Sequence, residues 1–163
     1  MKKTKIKDPL LNNGQERIDK GGEAFTPFHI TNRMLDFLTT VAWELNKTFL
    51  DPTCGNGQML VVFLERKLAE GHDPITALSN IYGADIMSDN IATARTRLLE
   101  MVVKHLGFDL IKCRVAQQIV EHNVFQVQDS LTFDWDSYQP LDIFQLTLNA
   151  YDVPANRTDD IPY

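Results

Sequence analysis

One stretch constrains this chain more than any other: Asp51-Pro52-Thr53-Cys54-Gly55-Asn56-Gly57, set directly behind the apolar run Thr48-Phe49-Leu50. The run reads as a short buried strand. Two glycines then break the chain, and residues 58–71 read as a helix closed by Gly71. Glycines between strand and helix let backbone approach a ligand closely and aim helix N–H groups at anything electronegative. The spacing is not that of a phosphate-binding loop, because Gln58 and Met59 follow Gly57 where Lys-Ser/Thr is needed. The third glycine of the dinucleotide fingerprint is missing as well.

The same alternation runs on. Residues 73–80 read as a short helix with Asp73 as cap and Pro74 in its first turn. Residues 81–86 read as a second strand. Residues 88–107 read as a long helix opened by Ser88 or Asp89 and stopped by Gly107, and residues 110–122 as another helix. Residues 123–130 read as a third strand and residues 140–149 as a fourth. Upstream, Ile30, Met34, Leu35, Leu38, Val41 and Ala42 recur at helical spacing behind Thr26 as N-cap and Pro27 at the first helical position. Strands alternating with helices predict an α/β fold with a mostly parallel sheet flanked by helices. With 163 residues, 44% of them hydrophobic, the chain has the size and composition of one globular domain. The expected organisation is an arm at 1–22, an α/β domain at 23–150 and a polar tail at 151–163.

In parallel α/β sheets, ligands bind at the carboxyl ends of the strands. Asp51 stands at the end of the first strand, Asp85 at the end of the second, and Asp129 with Ser130 at the end of the third. A carboxylate at the second position suits the hydroxyls of a ribose. A carboxylate at the third suits the amino group of an adenine. Each acid taken alone also reads as a cap or turn residue; the three together point to a nucleoside.

The order Gly22-Glu23-Ala24-Phe25-Thr26-Pro27, then 50–57, then Tyr82 to Ile86, then Gln128 to Leu131 resembles the adenine-specific DNA methyltransferases. The nearest style is the methylase subunits of type I restriction–modification systems, and the likeness covers about residues 22–131. It implies a Rossmann-like class I methyltransferase fold and S-adenosylmethionine as cofactor. Phe25, Thr26 and Pro27 would close over its methionine end. Asp51, Pro52, Thr53, Cys54, Gly55, Asn56 and Gly57 would meet the methionine amino and carboxylate groups. Asp85 would bind the ribose, Ile86 would pack on the adenine, and Asp129 with Ser130 would bind the adenine amino group. Phe25 also suits a hydrophobic staple onto the helix that follows it. Cys54 suits a small filler of the turn, since no base accompanies it.

The family's chemistry lies at the end of the fourth strand, in an Asn/Asp-Pro-Pro-aromatic segment. Its oxygens accept the hydrogens of the flipped adenine amine, and its ring stacks on the base. Here that segment is absent or degenerate. Asn149 and Tyr151 stand near the expected place without the prolines, and Asp160, Pro162 and Tyr163 come close at the end of the sequence. Family domains continue the sheet beyond the fourth strand, whereas this one is expected to stop there. Residues 143–148 alternate in polarity, with Ile143, Gln145 and Thr147 on one side and Phe144, Leu146 and Leu148 on the other. That suits an edge strand, and an open edge invites a second copy or a partner subunit. The competing readings are an adenine-specific DNA methyltransferase, an inactive subunit or decoy that binds S-adenosylmethionine, and an enzyme using another nucleoside.

Charge and composition narrow the partners. A net charge of -6 disfavours a broad nucleic-acid face, so DNA enters only through the resemblance. The basic Lys2, Lys3, Lys5 and Lys7 read as a solvated tail or a local patch. Two cysteines and four scattered histidines show no metal-ligand spacing. No apolar run approaches the ~20 residues of a membrane span. A reducing, cytoplasmic setting is expected.

Overall fold

The computed structural model describes residues 25–151. The expected arm at 1–22 and the tail from 152 onward lie outside the described residues. In chain order the elements are α1 (Phe28–Leu35), a 3-10 turn (Thr40–Trp43), β1 (Phe49–Asp51), α2 (Gln58–Ala69), α3 (Pro74–Ser79) and β2 (Ile81–Asp85). There follow α4 (Ser88–Leu106), α5 (Leu110–Asn123), β3 (Val124–Gln126), a 3-10 turn (Trp135–Ser137) and α6 (Ile143–Tyr151).

The three strands form one parallel sheet in the order β1-β2-β3. Parallel neighbours need a crossover between them, and paired helices supply both. This α/β layering, a parallel sheet flanked by helices, is consistent with part of a Rossmann-like methyltransferase fold. Phe49 pairs in register with Ile81 and Asp51 with Gly83, while Gly83 pairs with Val124 and Asp85 with Gln126. One sheet face therefore carries Phe49, Ile81, Gly83 and Val124. On that face Phe49 stacks on Phe63 of α2, with ring centroids 4.3 Å apart. A Cβ placed on Gly83 would lie 2.5 Å from the Leu60 side chain of α2. The glycine is what lets helix and sheet approach this closely. Leu60, Val62, Phe63 and Leu64 of α2, Leu98 of α4 and Ile119 of α5 belong to one core cluster and are fully buried. Each such side chain contributes about 1.5–3 kcal/mol.

The opposite face carries Leu50, Tyr82 and Phe125. The segment after β3 folds back over part of it. Tyr138 stacks on Phe125 at 5.2 Å and meets Tyr82 edge-on at 5.6 Å. Leu50, on β1, stays 43% exposed.

Two expectations are corrected. The fourth strand is absent from the described residues: its sequence forms helix α6 instead. Asp142 caps that helix, accepting from the Gln145 N–H at 3.1 Å through its side chain and from the Leu146 N–H at 2.9 Å through its carbonyl. Ile143, Leu146 and Ala150 pack against the core at helical spacing, while Phe144 and Leu148 remain exposed. Over so short a run, alternation and helical spacing overlap, and α5, against which α6 packs, selects the helix. The proposed fourth-strand pairing edge falls with it; the outer strands of the described sheet are β1 and β3.

The second correction concerns the helical spacing read over Ile30, Met34, Leu35, Leu38, Val41 and Ala42: α1 ends at Leu35, and Val41 and Ala42 lie in a separate 3-10 turn. The Phe37 and Leu38 N–H groups close onto Met34 and Leu35 in three-residue steps, which tightens and ends the helix. Arg66 of α2 clamps this end, donating to the Asn32 carbonyl at 2.7 Å and pairing with Asp36 at 2.8 Å. The helix also starts one residue later than expected. Pro27, not Thr26, is the N-cap, and no side chain caps it.

Candidate functional site

The carboxyl ends of β1 and β2 lie side by side, and each delivers an acid to the same place. Beyond β1 the backbone stays paired for one more bond, Cys54 N–H to the Ala84 carbonyl at 2.8 Å. The turn then opens. Gly55 and Gly57 both take left-handed φ values, +53° and +78°, which residues with a side chain adopt only at a cost. Gly57 serves as N-cap of α2, and no side chain caps the helix. Its first-turn N–H groups are thus presented at the sheet end, with the positive end of the helix dipole behind them.

Asp85 clasps this turn. One carboxylate oxygen accepts from the Gly55 N–H at 2.9 Å. The other accepts from the Met87 N–H at 2.8 Å and from Asn90 Nδ2 at 3.3 Å. Asp51 folds its carboxylate onto the Thr53 N–H at 3.2 Å. Burial pushes the Asp51 carboxyl above the usual carboxylate range, the Thr53 bond opposes this, and the neighbouring Asp85 charge adds to it. Two acids facing one partly buried turn favour a cationic partner there. Cys54 is buried at the base of the turn. Burial, then the charges of Asp51 and Asp85, push its thiol well above the ordinary range. It is therefore a neutral filler against Gly83, whose added Cβ would sit 3.1 Å from the sulfur.

The Phe25 ring lies over the turn, such that a Cβ on Gly55 would meet it at 3.1 Å. Thr26 and Pro27 follow it, half-buried. Pro52 and Thr53 are exposed on the rim. Ile86, directly after Asp85, is 59% exposed, an apolar side chain presented at the strand end.

Asp129 and Ser130 follow β3. That strand end runs beside the end of β2: the Val127 N–H donates to the Asp85 carbonyl at 3.0 Å and Gln126 Nε2 to the Ile86 carbonyl at 2.8 Å. Asp129 itself is exposed and accepts from the Leu131 N–H at 2.9 Å, as a turn residue. The Ser130 carbonyl accepts from Trp135 Nε1 at 3.0 Å. Asn149 and Tyr151 are exposed on α6, which packs on α5. Neither stands at a strand end, where the expected catalytic segment belongs. Asp160, Pro162 and Tyr163 lie outside the described residues. Among the described residues no group of three His, Cys, Asp or Glu side chains is placed to hold a metal ion. No described helix is long and apolar enough to cross a membrane.

Sequence reasoning missed the residues that brace the turn from behind. Asn90, Ala94 and Arg97 recur along one face of α4. Asn90 reaches Asp85. Ala94 presses on Gly57, whose added Cβ would lie 2.7 Å from the alanine methyl. Arg97 reaches Asn56 and Gln58. The signal was present as polar and small residues on a face that also carries Ile91 and Leu98.

Comparison with known proteins bears on this arrangement. The family model described as N-6 DNA Methylase matches residues 8–130. The type II methyltransferase M.VspI of Vibrio sp. (strain 343) is 33% identical over 107 residues, which are 66% of this chain and 21% of that protein. The chain thus spans about a fifth of the length of that curated relative. No solved structure matches.

Proposed function

The chain belongs to the N-6 DNA methylase family, and from that premise we propose that it binds S-adenosylmethionine at the turn between β1 and α2 and serves methyl transfer to adenine in DNA. The family comprises S-adenosylmethionine-dependent adenine DNA methyltransferases. The observation that carries the reading for this chain is the Asp85 clasp on a turn of two left-handed glycines at an uncapped helix N-terminus. The finer assignment to a Rossmann-like class I methyltransferase fold, with its cofactor domain at 23–150, belongs to this proposal. So do a cytoplasmic setting and a role in restriction–modification.

The donor set fits the cofactor. The first-turn N–H groups of α2 suit the methionine carboxylate, and Asp51 suits the methionine ammonium. Phe25, with Thr26 and Pro27, covers the Gly55 side. An ionised carboxylate has about four acceptor positions, and Asp85 already accepts three protein donors. It retains room for one ribose hydroxyl. Ile86 offers its exposed side chain to the adenine ring. Asp129 and Ser130 would recognise the adenine amino group. When bound, S-adenosylmethionine supplies a methyl group on a sulfonium sulfur, the electrophile for a nitrogen nucleophile. The turn fixes the carrier and leaves the methyl to a base brought against it.

A second reading has its own observation. The only expected catalytic residues within the described region, Asn149 and Tyr151, sit on α6 rather than at a strand end. On that reading this part of the protein holds S-adenosylmethionine, and residues beyond 25–151 or a partner subunit present the adenine.

Calorimetry with S-adenosylmethionine tests the binding, and methyl transfer from labelled S-adenosylmethionine to adenine-containing DNA tests the activity. Binding with transfer supports the enzyme. Binding without transfer, alone or with a partner subunit, supports the second reading. No binding removes both.

A further inference from the structure

We infer that Arg97 is a positioning residue for the amino-acid end of the bound cofactor, setting the direction of the N–H groups that receive it. The inference rests on the cofactor reading above. Asn56 lies between two glycines in left-handed conformation, the part of the turn whose backbone is least restrained by its own side chains. It is nonetheless buried, at 3% exposure. Arg97, from the middle of α4, holds it. One arm of the guanidinium donates to the Asn56 carbonyl at 2.9 Å and to its Oδ1 at 3.2 Å. The other donates to Gln58 Oε1 at 2.8 Å.

The consequence follows from the planar peptide. The Asn56 carbonyl is tied to Arg97, and the Gly57 N–H at the other side of the same peptide donates to the Cys54 carbonyl at 2.8 Å. The orientation of that unit is therefore fixed at both ends. Gln58 is the first residue of α2, so the second guanidinium arm pins the first helical turn to the same frame. Asp85 fixes Gly55 from the sheet side, and Arg97 fixes Asn56 and Gln58 from the helix side. Arg97 acts from behind the turn, through Asn56 and Gln58. A lysine has one point of charge and no fork, so it cannot hold both partners in one plane.

A brace on this part of the turn affects the methionine end and not the nucleoside end, which separates it from a residue that only stabilises the fold. The test is calorimetry of the parent, Arg97→Lys and Arg97→Gln with two ligands, S-adenosylhomocysteine and 5′-methylthioadenosine. The second carries the nucleoside and sulfur but no amino acid. The expected result is an affinity loss of about tenfold for S-adenosylhomocysteine in both variants, with 5′-methylthioadenosine bound as in the parent. Where those variants do not fold, Gln58→Met removes one acceptor and is expected to show the same selectivity with a loss of about threefold. Equal losses for both ligands, or no loss for either, overturn the assignment while the cofactor reading stands. A parent that binds neither ligand overturns the cofactor reading and this inference together.

Discussion

The Gly55 N–H and the Asp85 carboxylate meet at 2.9 Å across 30 residues of sequence. That bond joins the turn after β1 to the end of β2 and gives the carboxylate a structural duty alongside any ligand it receives. Replacement of Asp85 by Ala leaves the Gly55 and Met87 N–H groups and the Asn90 amide without this acceptor. We expect a stability loss of about 1–3 kcal/mol in chemical denaturation, and a loss of S-adenosylmethionine binding larger than destabilisation explains. Binding equal to the parent at a temperature where both are folded discards the ribose assignment.

Gly57 is the tightest position in the turn. An alanine there must take φ near +78° and place its methyl 2.7 Å from that of Ala94. The backbone term costs about 1–2 kcal/mol, and overpacking adds about 1–3 kcal/mol. Ala94→Gly, added to Gly57→Ala, removes the methyl contact but leaves the Ala94 Cα 3.0 Å from the new Cβ. It also adds about 1 kcal/mol for a glycine inside α4, so it is expected to recover only part of the packing loss. Full recovery in thermal melts would show that the left-handed backbone carries no cost.

Asp51 makes the site sensitive to pH. Its folded carboxyl titrates above the unfolded value, chiefly through burial, so the folded state holds the proton more tightly. Its contribution to stability is greatest below the unfolded pKa and is lost as pH rises through the folded one. A cationic ligand reverses the preference, because it favours the ionised carboxylate. S-adenosylmethionine affinity is therefore expected to rise with pH through this window, with proton release on binding. Calorimetry in buffers of different ionisation enthalpy reads that proton directly. Asp51→Asn should abolish the release.

Cys54 is buried with its thiol held neutral by burial and two acids, whereas Cys113 is partly exposed. Alkylation at neutral pH should label Cys113 first and leave Cys54 unmodified in the folded protein. Peptide mass mapping decides it, and rapid labelling of Cys54 would mean that the turn opens.

Helix α6 depends on its cap. Asp142→Ala removes the bond to the Gln145 N–H and should cost about 1 kcal/mol. Faster amide exchange confined to residues 143–151 is the expected signature. Faster exchange in β1 instead would indicate that this segment joins the sheet.

Most of the layout is readable from residue order alone. Asp73 before Pro74, Gly71 and Gly107 after their helices, and the glycine pair after an apolar run are local signals. They hold because capping and left-handed backbone are properties of a few adjacent residues. The acids at 51 and 85 were legible for the same reason, since each marks a strand end. Residues 143–148 were not legible as helix. Their apolar spacing serves a strand and a helix equally, and the choice belongs to α5 packing beside them. The break after Leu35 was hidden likewise, because Arg66, which clamps it, lies on α2. The Arg97 brace on Asn56 joins residues 41 apart, and no local pattern encodes such a bond.

The sequence by itself determined the α/β alternation, the turn at 51–57 and the family signature, because these rest on short-range geometry and residue chemistry. Tertiary structure alone decided that Asp85 clasps Gly55, that Arg97 and Ala94 press the turn from behind, and that the expected fourth strand is a helix. Those outcomes depend on which surfaces meet when the sheet and its helices pack, and that information is spread along the chain rather than held at any one site.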